Sequence, residues 1–427
     1  MHGKTHLATE QPAGRLINRQ SLFSLYLPAM ALALGTGIAT PAIPVYAKSF
    51  DVTFGVAALV LIVYELGGAV GTVPTGFMID RIGRRKILLA GPILAAISSL
   101  LVAQASSFPE LLAYRFVGGW ARQMWMLSRL TMIADTGAER QRGREVTGLV
   151  GMESVGRLLG PAVGGFLAAA WGVRIAFVAH ALLSLMAIAP SFVLTRETAP
   201  TRSAQTSRDA GGKGARNATL AALLTIPVLT FFVAQFLTNL TRGSLTAGTT
   251  HLYAVYAYGV GPETIGALAA AAGVVGIPII FSTGHIMDRF GRTATAVPAF
   301  AIMGLALVFM ASTAFLESPF SFFIAAFILV QVATSMAAGN MQVIGSLIAP
   351  ANVRGRFFGI WRLIGEGGST MSPVMFAVLA ETSGYAAAFV SLSVCAFAGA
   401  VILFTQVRTT LRRSEEAAAQ QAASGSA

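Results

Sequence analysis

The 427-residue chain is apolar and basic: 55% of its residues are hydrophobic, 11% are charged, and the formal net charge is +12. A soluble domain carries about 25% charged residues, so the composition excludes one and predicts an integral membrane protein. The basic residues lie in small groups between apolar runs and form no stripe on a soluble domain, which argues against a nucleic-acid partner.

Apolar runs long enough to cross a bilayer as helices follow one another along the chain. Residues 1–19 are polar and predict a cytoplasmic N-terminal tail. Residues 20–195 predict an N-terminal bundle of six spans, which begin near Ser21, Thr53, Arg85, Pro109, Glu145 and Val173. Residues 196–217 are rich in Ser, Thr, Gly and charge, which is typical of a flexible cytoplasmic linker.

The second half repeats this pattern. Residues 218–408 predict a C-terminal bundle of six spans, which begin near Ala218, Pro262, Thr293, Pro319, Arg354 and Tyr385. Residues 409–427 predict a cytoplasmic C-terminal tail. The predicted fold class is therefore an all-α integral membrane protein with twelve transmembrane helices in two six-helix bundles.

Lys and Arg are distributed unequally between the two sides of the predicted bundles. The tails, the linker and alternate loops hold 22 of the 30, whereas the opposite side holds only Lys48 and Arg174. Because short cytoplasmic loops accumulate these residues, both termini are predicted to be cytoplasmic.

One motif, G-x-x-x-D-R-x-G-R, lies between the second and third apolar runs of each half. Its defining residues are Gly76, Asp80, Arg81, Gly83 and Arg84 in the first copy and Asp288, Arg289, Gly291 and Arg292 in the second. The two copies are separated by a constant offset of 208 residues, which indicates a tandem duplication.

This motif resembles the signature loop of the major facilitator superfamily of secondary transporters. The resemblance implies two pseudo-symmetric bundles that rock about a central site, with both copies of the motif at a cytoplasmic gate. Asp135, at the end of the fourth span, matches the acidic partner of the loop. With Asp80 and Arg84 it would form a charge cluster that latches the cytoplasmic side closed.

Six arginines lie within the predicted spans, where a charge is costly and normally faces the bundle interior or a cavity. Arg115, Arg122 and Arg129 are spaced by seven residues on the fourth span, so they share one helical face. Two interpretations stay open: these arginines line an anion-attracting cavity, or they form structural ion pairs with Glu65 and Glu153. We assign Arg115 and Arg122 to the cavity and regard Arg129 as the structural member.

The resemblance also implies that the first, fourth, seventh and tenth spans line the central path. The seventh span agrees, because Gln235, Asn239 and Arg242 fall at i, i+4 and i+7 and form one polar face. A soluble amphipathic helix would show the same pattern. In the tenth span the polar candidates are Gln331 and Asn340.

Three carboxylates at membrane depth, Glu65, Glu153 and Glu366, are candidates for proton coupling. The alternative is structural pairing, because Glu153 with Arg157 and Glu366 with Arg362 are each spaced i, i+4. Glu65 has no such partner on its own helix and is expected to reach an arginine of the fourth or eleventh span.

The fifth span carries a helix-packing motif that consists of Gly156, Gly160, Pro161, Gly164 and Gly165. Glycines four residues apart let another helix approach closely. The pattern resembles the antiporter motif of proton-linked drug exporters in the same superfamily, although ordinary helix packing would also explain it.

These observations predict a transporter of the inner cell membrane that exports small molecules or drugs in exchange for protons and functions as a monomer. A carrier for organic anions, phosphorylated sugars or lipid headgroups is the alternative, and a non-transporting receptor is a remote one. The chain shows no hydrolase triad, phosphate-cradling loop or metal-ligand cluster, so we expect no enzyme activity, no cofactor and no metal site. The single Cys395 excludes a disulfide within the chain.

Overall fold

A computed structural model describes residues 26–136, 139–194, 224–290, 293–350 and 354–407. The predicted tails and linker, Ser21 at the expected start of the first span and Ala218 at that of the seventh lie outside these residues. The described residues form twelve helical spans, six in the N half of the chain and six in the C half.

The N-half spans begin close to the predicted positions, except that the fifth begins at Glu139, earlier than expected. Their bounds are Leu27–Lys48, Phe54–Ile82, Arg84–Gln104, Phe108–Thr136 and Glu139–Trp171, and the sixth is formed by Val173–Met186 and Ile188–Leu194.

The C half contains two broken spans. The seventh is formed by Ile226–Ala247 and Thr249–Tyr258, the eighth is Pro262–Phe290, the ninth is Thr293–Phe315, and the tenth is formed by Phe320–Met336 and Asn340–Ile348. The eleventh and twelfth follow each other within Arg354–Ile402, with a kink at Gly384, and continue into a π-helical turn, Leu403–Val407. The seventh span breaks at Gly248, whose φ of +96° is readily adopted only by glycine.

By length and composition, eight helical stretches of the described residues could cross a membrane. The fourth, fifth and seventh spans are not among them, yet all three pack inside the bundles. These spans contain five of the six intramembrane arginines predicted above. A helix that is too polar to face lipid must direct its charged side chains toward protein or a cavity.

The two halves pack by the same pairs of spans. The first span packs against the fifth in the N half, and the seventh packs against the eleventh in the C half. Across the interface between the halves, the fifth span contacts the eighth and the second contacts the eleventh. Each contact is thus matched by a counterpart six spans away, which is the arrangement expected of two pseudo-symmetric bundles.

Glycines of the fifth span permit both of its close approaches. Gly156, Gly160 and Gly164 face the first span, and a methyl group added to Gly160 would lie only 2.6 Å from the Cα of Gly37. Gly165 faces the eighth span instead. The motif thus provides contact surfaces both within the N half and between the halves.

Candidate functional site

Two adjoining cavities of about 280 and 600 Å³ lie in the interior of the protein. They share the lining residues Thr36, Tyr64, Arg115, Arg122, Arg157 and His180. The larger cavity, which we call the central cavity, also has walls from the seventh, eighth and tenth spans. It therefore lies between the two halves.

The fourth span supplies the charged wall of this space. Arg115 and Arg122 line both cavities, and Arg129 lines the smaller one. Arg122 also donates to the carboxylate of Glu65 across a distance of 2.7 Å. The sequence left two alternatives for Arg122, lining a cavity and pairing with a glutamate. Arg122 does both.

Tyr64 of the second span brings two of these arginines together. Its ring centroid lies 4.1 Å from the guanidinium carbon of Arg115 and 5.0 Å from that of Arg122. A guanidinium over an aromatic face is stabilised by the ring quadrupole, but this contact does not neutralise the charge. Among the described residues, no carboxylate lies within ion-pair distance of Arg115.

The two other candidate glutamates differ in their surroundings. Glu153 is largely buried and lies between Arg129 and Arg157, with which it forms two ion pairs. Glu366 is exposed and is 3.8 Å from Arg362 at the closest approach of their side chains. An exposed pair at this distance adds little stability.

Only one of the predicted polar candidates of the seventh and tenth spans, Gln331, lines the central cavity. Gln235 packs against Gly365 of the eleventh span, and Asn239 accepts a hydrogen bond from Ser369 of the same span. Asn340 is fully buried and bonds within its own half. Arg242 is not among the residues that line either cavity. The polar face of the seventh span thus packs largely against protein, because the eleventh span covers it.

The first signature loop lies at the end of the bundle opposite Lys48. Gly76 lies within the second span, Asp80 and Arg81 are exposed in its last turn, and Arg84 begins the third span. Gly83 between the spans has a φ of +98°, which strains any residue with a side chain.

Of the remaining gate residues, Arg289 is exposed at the end of the eighth span. The side chains of Asp135 and Asp288 and residues 291–292 lie outside the described part of the chain. The predicted charge latch therefore stays a prediction.

Two histidines of the described residues line the central cavity and were missed by the sequence interpretation: His180, which is partly buried, and His251, which is buried. His180 of the sixth span is hydrogen-bonded through its Nδ1 to Ser99, at 2.9 Å. His251 lies just after the break in the seventh span. A lone histidine in an apolar run has no periodicity or spacing that would single it out.

Contacts between the halves were also missed. Lys48 donates to the Val255 carbonyl at 2.9 Å, and Tyr256 donates to the Val52 carbonyl at 2.8 Å. The carboxylate of Glu381 accepts from the backbone N–H of Gly55 at 2.9 Å. We call these three hydrogen bonds the Lys48 clasp; their partners are far apart in sequence and joined only by the fold.

Aromatic side chains reinforce the clasp. The ring of Phe54 lies 5.6 Å from that of Tyr256 and 5.0 Å from that of Tyr385, both in edge contact. Such contacts add to the area buried between the halves. The halves are therefore joined firmly at the end of the molecule that carries Lys48.

Comparison with known families agrees with this architecture. Residues 25–352 and 231–426 match the model of the Major Facilitator Superfamily. The chain belongs to this superfamily. The predicted family and fold class are confirmed.

Similar proteins include bacterial resistance proteins. Quinolone resistance protein NorA of Staphylococcus aureus is 28% identical over 181 residues, which are 42% of this chain and 46% of that protein. Multidrug resistance protein 2 of Bacillus subtilis (strain 168) is 23% identical over 184 residues, which are 43% of this chain and 46% of that protein. The matches thus span about half the length of these curated relatives.

Solved structures resemble the whole chain. A D-xylose-proton symporter superposes with a TM-score of 0.70 and 17% identity, covering 90% of this chain and 96% of the other. A bacterial homologue of the human lysosomal transporter Spinster, in an inward-facing and unoccupied conformation, gives a TM-score of 0.67 and 16% identity, covering 92% and 97%. At such identity the likeness establishes the fold.

Proposed function

We propose that the protein exports small organic molecules through the central cavity by alternating access and takes up protons in exchange. One observation carries this proposal: the ion pair between Glu65 and Arg122 lies in a cavity whose walls come from both halves. The similarity to a quinolone resistance protein and a multidrug resistance protein supports drugs as the substrates.

Glu65 is the best placed of the three glutamates to carry the proton. It lines the central cavity, and among the described residues it has one arginine partner, Arg122, on another span. Glu153 forms ion pairs with two arginines, which is the arrangement of a structural pair, and Glu366 lies outside both cavities. Protonation of Glu65 would remove the negative partner of Arg122. The charge of the cavity would thereby change during each cycle, and the affinity for the substrate would change with it.

We further propose that the Lys48 clasp is the outer gate and that the signature loops form the cytoplasmic gate. The distribution of Lys and Arg supports this orientation, with both termini in the cytoplasm of a protein in the inner cell membrane. In the present conformation the outer gate is closed by the clasp. Separation of the clasp would open the cavity outward, and the charge cluster of Asp80, Arg84 and Asp135 would then hold the opposite side closed.

The test is transport by the purified protein in proteoliposomes that contain a pH-sensitive dye. We expect a quinolone or a cationic drug to cause a proton flux that is absent from protein-free liposomes. Glu65→Gln should abolish this flux but leave substrate exchange without a gradient, because glutamine fills the same space and cannot bind a proton. Glu366→Gln is the matched control and should keep the flux. Full proton coupling in Glu65→Gln would refute the assignment of the carrier.

A further inference from the structure

Among the described residues of the C half, His251 is the titratable side chain that lines the central cavity. Only 8% of its surface is exposed, and its ring lies 5.5 Å from that of Phe327, measured between centroids. Neither ring nitrogen has a hydrogen-bond partner in the described part of the protein. The imidazole nevertheless lines the central cavity.

Two buried ring nitrogens without hydrogen-bond partners are unfavourable unless a molecule in the cavity bonds to them. A buried polar atom without a partner retains the cost of leaving water. A neutral imidazole has one donor and one acceptor nitrogen, so it fits a hydroxyl, amide or amine group. Both nitrogens are shielded from solvent in this conformation, so a polar group of a bound molecule would supply the partner that they lack.

The backbone holds His251 at this position. The break at Gly248 starts a new helix at Thr249, and the backbone N–H of His251 bonds the Gly248 carbonyl at 3.1 Å. Gly248 itself lines the central cavity. Placement by a helix break is firmer than placement by a loop, because the helix behind it is packed in the core.

The N-half wall of the cavity, which lies across from His251, is charged and rich in arginine. In the described part of the chain, four arginines and two glutamates line the two cavities together: Arg115, Arg122, Arg129, Arg157, Glu65 and Glu153. Both glutamates are paired, whereas Arg115 is without an ion-pair partner among the described residues. A guanidinium binds a carboxylate through two parallel hydrogen bonds, so this wall favours an organic anion.

We propose that the substrate is a drug-sized organic carboxylate that also carries a second polar group, and that Arg115 binds the carboxylate while His251 binds the second group. A volume of about 600 Å³ is within the range of sites for drug-sized molecules. This inference rests on the proposed export function, because it assigns the substrate class of the same cavity. Two contacts on opposite walls would let one molecule connect the two halves.

The test measures binding to the purified full-length protein by calorimetry, with three probes: a quinolone carboxylic acid, its ethyl ester, and the tetraphenylphosphonium cation. We expect the acid to bind at least about tenfold more tightly than the ester, because the ester cannot accept the charge-assisted pair from Arg115. Arg115→Gln should remove this preference, and Arg115→Lys should retain part of it. Arg174→Gln, on an exposed arginine outside both cavities, is the matched control.

For the second contact, His251→Phe keeps a ring against Phe327 but removes both nitrogens. We expect it to weaken binding of the acid about tenfold, and His251→Gln, which has a donor and an acceptor, to restore part of the affinity. His285→Phe is the control: His285 is exposed, and the first copy of the repeat has Phe77 at the equivalent position. Gel filtration of each variant separates loss of binding from loss of folding.

The outcomes separate this inference from the proposed function. Equal affinities for acid and ester, or unchanged affinity in well-folded His251→Phe, would overturn the inference. Export of tetraphenylphosphonium without binding of the acid would preserve the export function and overturn the inference. If vesicles export none of the probes, the export function fails, while the acid-to-ester ratio of the purified protein still decides the inference.

Discussion

Tyr256→Phe is expected to shift the protein toward its outward-facing state. The substitution removes the hydroxyl that donates to the Val52 carbonyl across the interface between the halves. It retains the aromatic ring, which remains in edge contact with Phe54. The change is therefore confined to one hydrogen bond of the Lys48 clasp.

The magnitude follows from the exchange of this bond with water. The bond is 2.8 Å long and partly buried, and its two partners become accessible to water when the halves separate. A neutral hydrogen bond under these conditions contributes about 1 kcal/mol, because water bonds replace it in the open state. Loss of the bond should raise the ratio of the outward-facing to the closed state about fivefold.

Cysteine labelling can measure this ratio, because Cys395 is the chain's only cysteine. In a Cys395→Ser background, Thr40→Cys places a thiol in the wall of the central cavity. A membrane-impermeant maleimide applied outside the cell should modify it about fivefold faster when Tyr256→Phe is added.

Tyr258→Phe is the matched control for this experiment. Tyr258 lies on the same helix, but its ring contacts Tyr253, Phe320 and Phe323, all in the C half. We expect this variant to be labelled at the parent rate. Equal labelling rates in all three proteins would refute the assignment of the clasp as a gate.

Three further predictions concern other parts of the molecule. Asp80→Asn should leave the amount of folded protein near normal and strongly reduce transport, because it removes a charge from the proposed latch and none from the core. Unchanged substrate uptake into vesicles would refute the latch. Glu153→Gln should lower the yield of folded protein, since it leaves two arginines without their carboxylate, whereas the exposed Glu366→Gln should not; equal yields on a size-exclusion column would contradict this. Gly266→Ala should lower the melting temperature, because a methyl group there meets the backbone of the fifth span; Gly367→Ala, which meets no atom within 4 Å, should not.

The twelve spans could be predicted because each required property is local. An apolar run of sufficient length and its polar boundaries are contained in a short segment of sequence. The eighth and ninth spans begin at Pro262 and Thr293 as predicted, and the duplicated motif identified the two halves. Glu65 pairs with an arginine of the fourth span, one of the two spans expected to supply its partner, because a carboxylate within a span requires a cation and few were available.

The residues that line the central cavity could be predicted only in part. Arg115, Arg122 and Gln331 line it, but Gln235 and Asn239 pack against the eleventh span. A polar face on one helix shows that it avoids lipid, and it does not distinguish water from a neighbouring helix. That distinction depends on packing between segments far apart in the sequence, as does the clasp.

The short helix Thr249–Tyr258 connects the proposed substrate contact with the clasp. His251 near its beginning lines the central cavity, and Val255 and Tyr256 near its end bond the N half. At about 1.5 Å per residue, His251 and Tyr256 are about 7.5 Å apart along the axis. Because the coupling of two equilibria is reciprocal, a molecule that binds His251 more tightly in one state must shift the clasp toward that state. Conversely, a weaker clasp can change the apparent affinity of the cavity for its substrate by no more than the factor by which it changes the ratio of the outward-facing to the closed state. For Tyr256→Phe this factor is about fivefold.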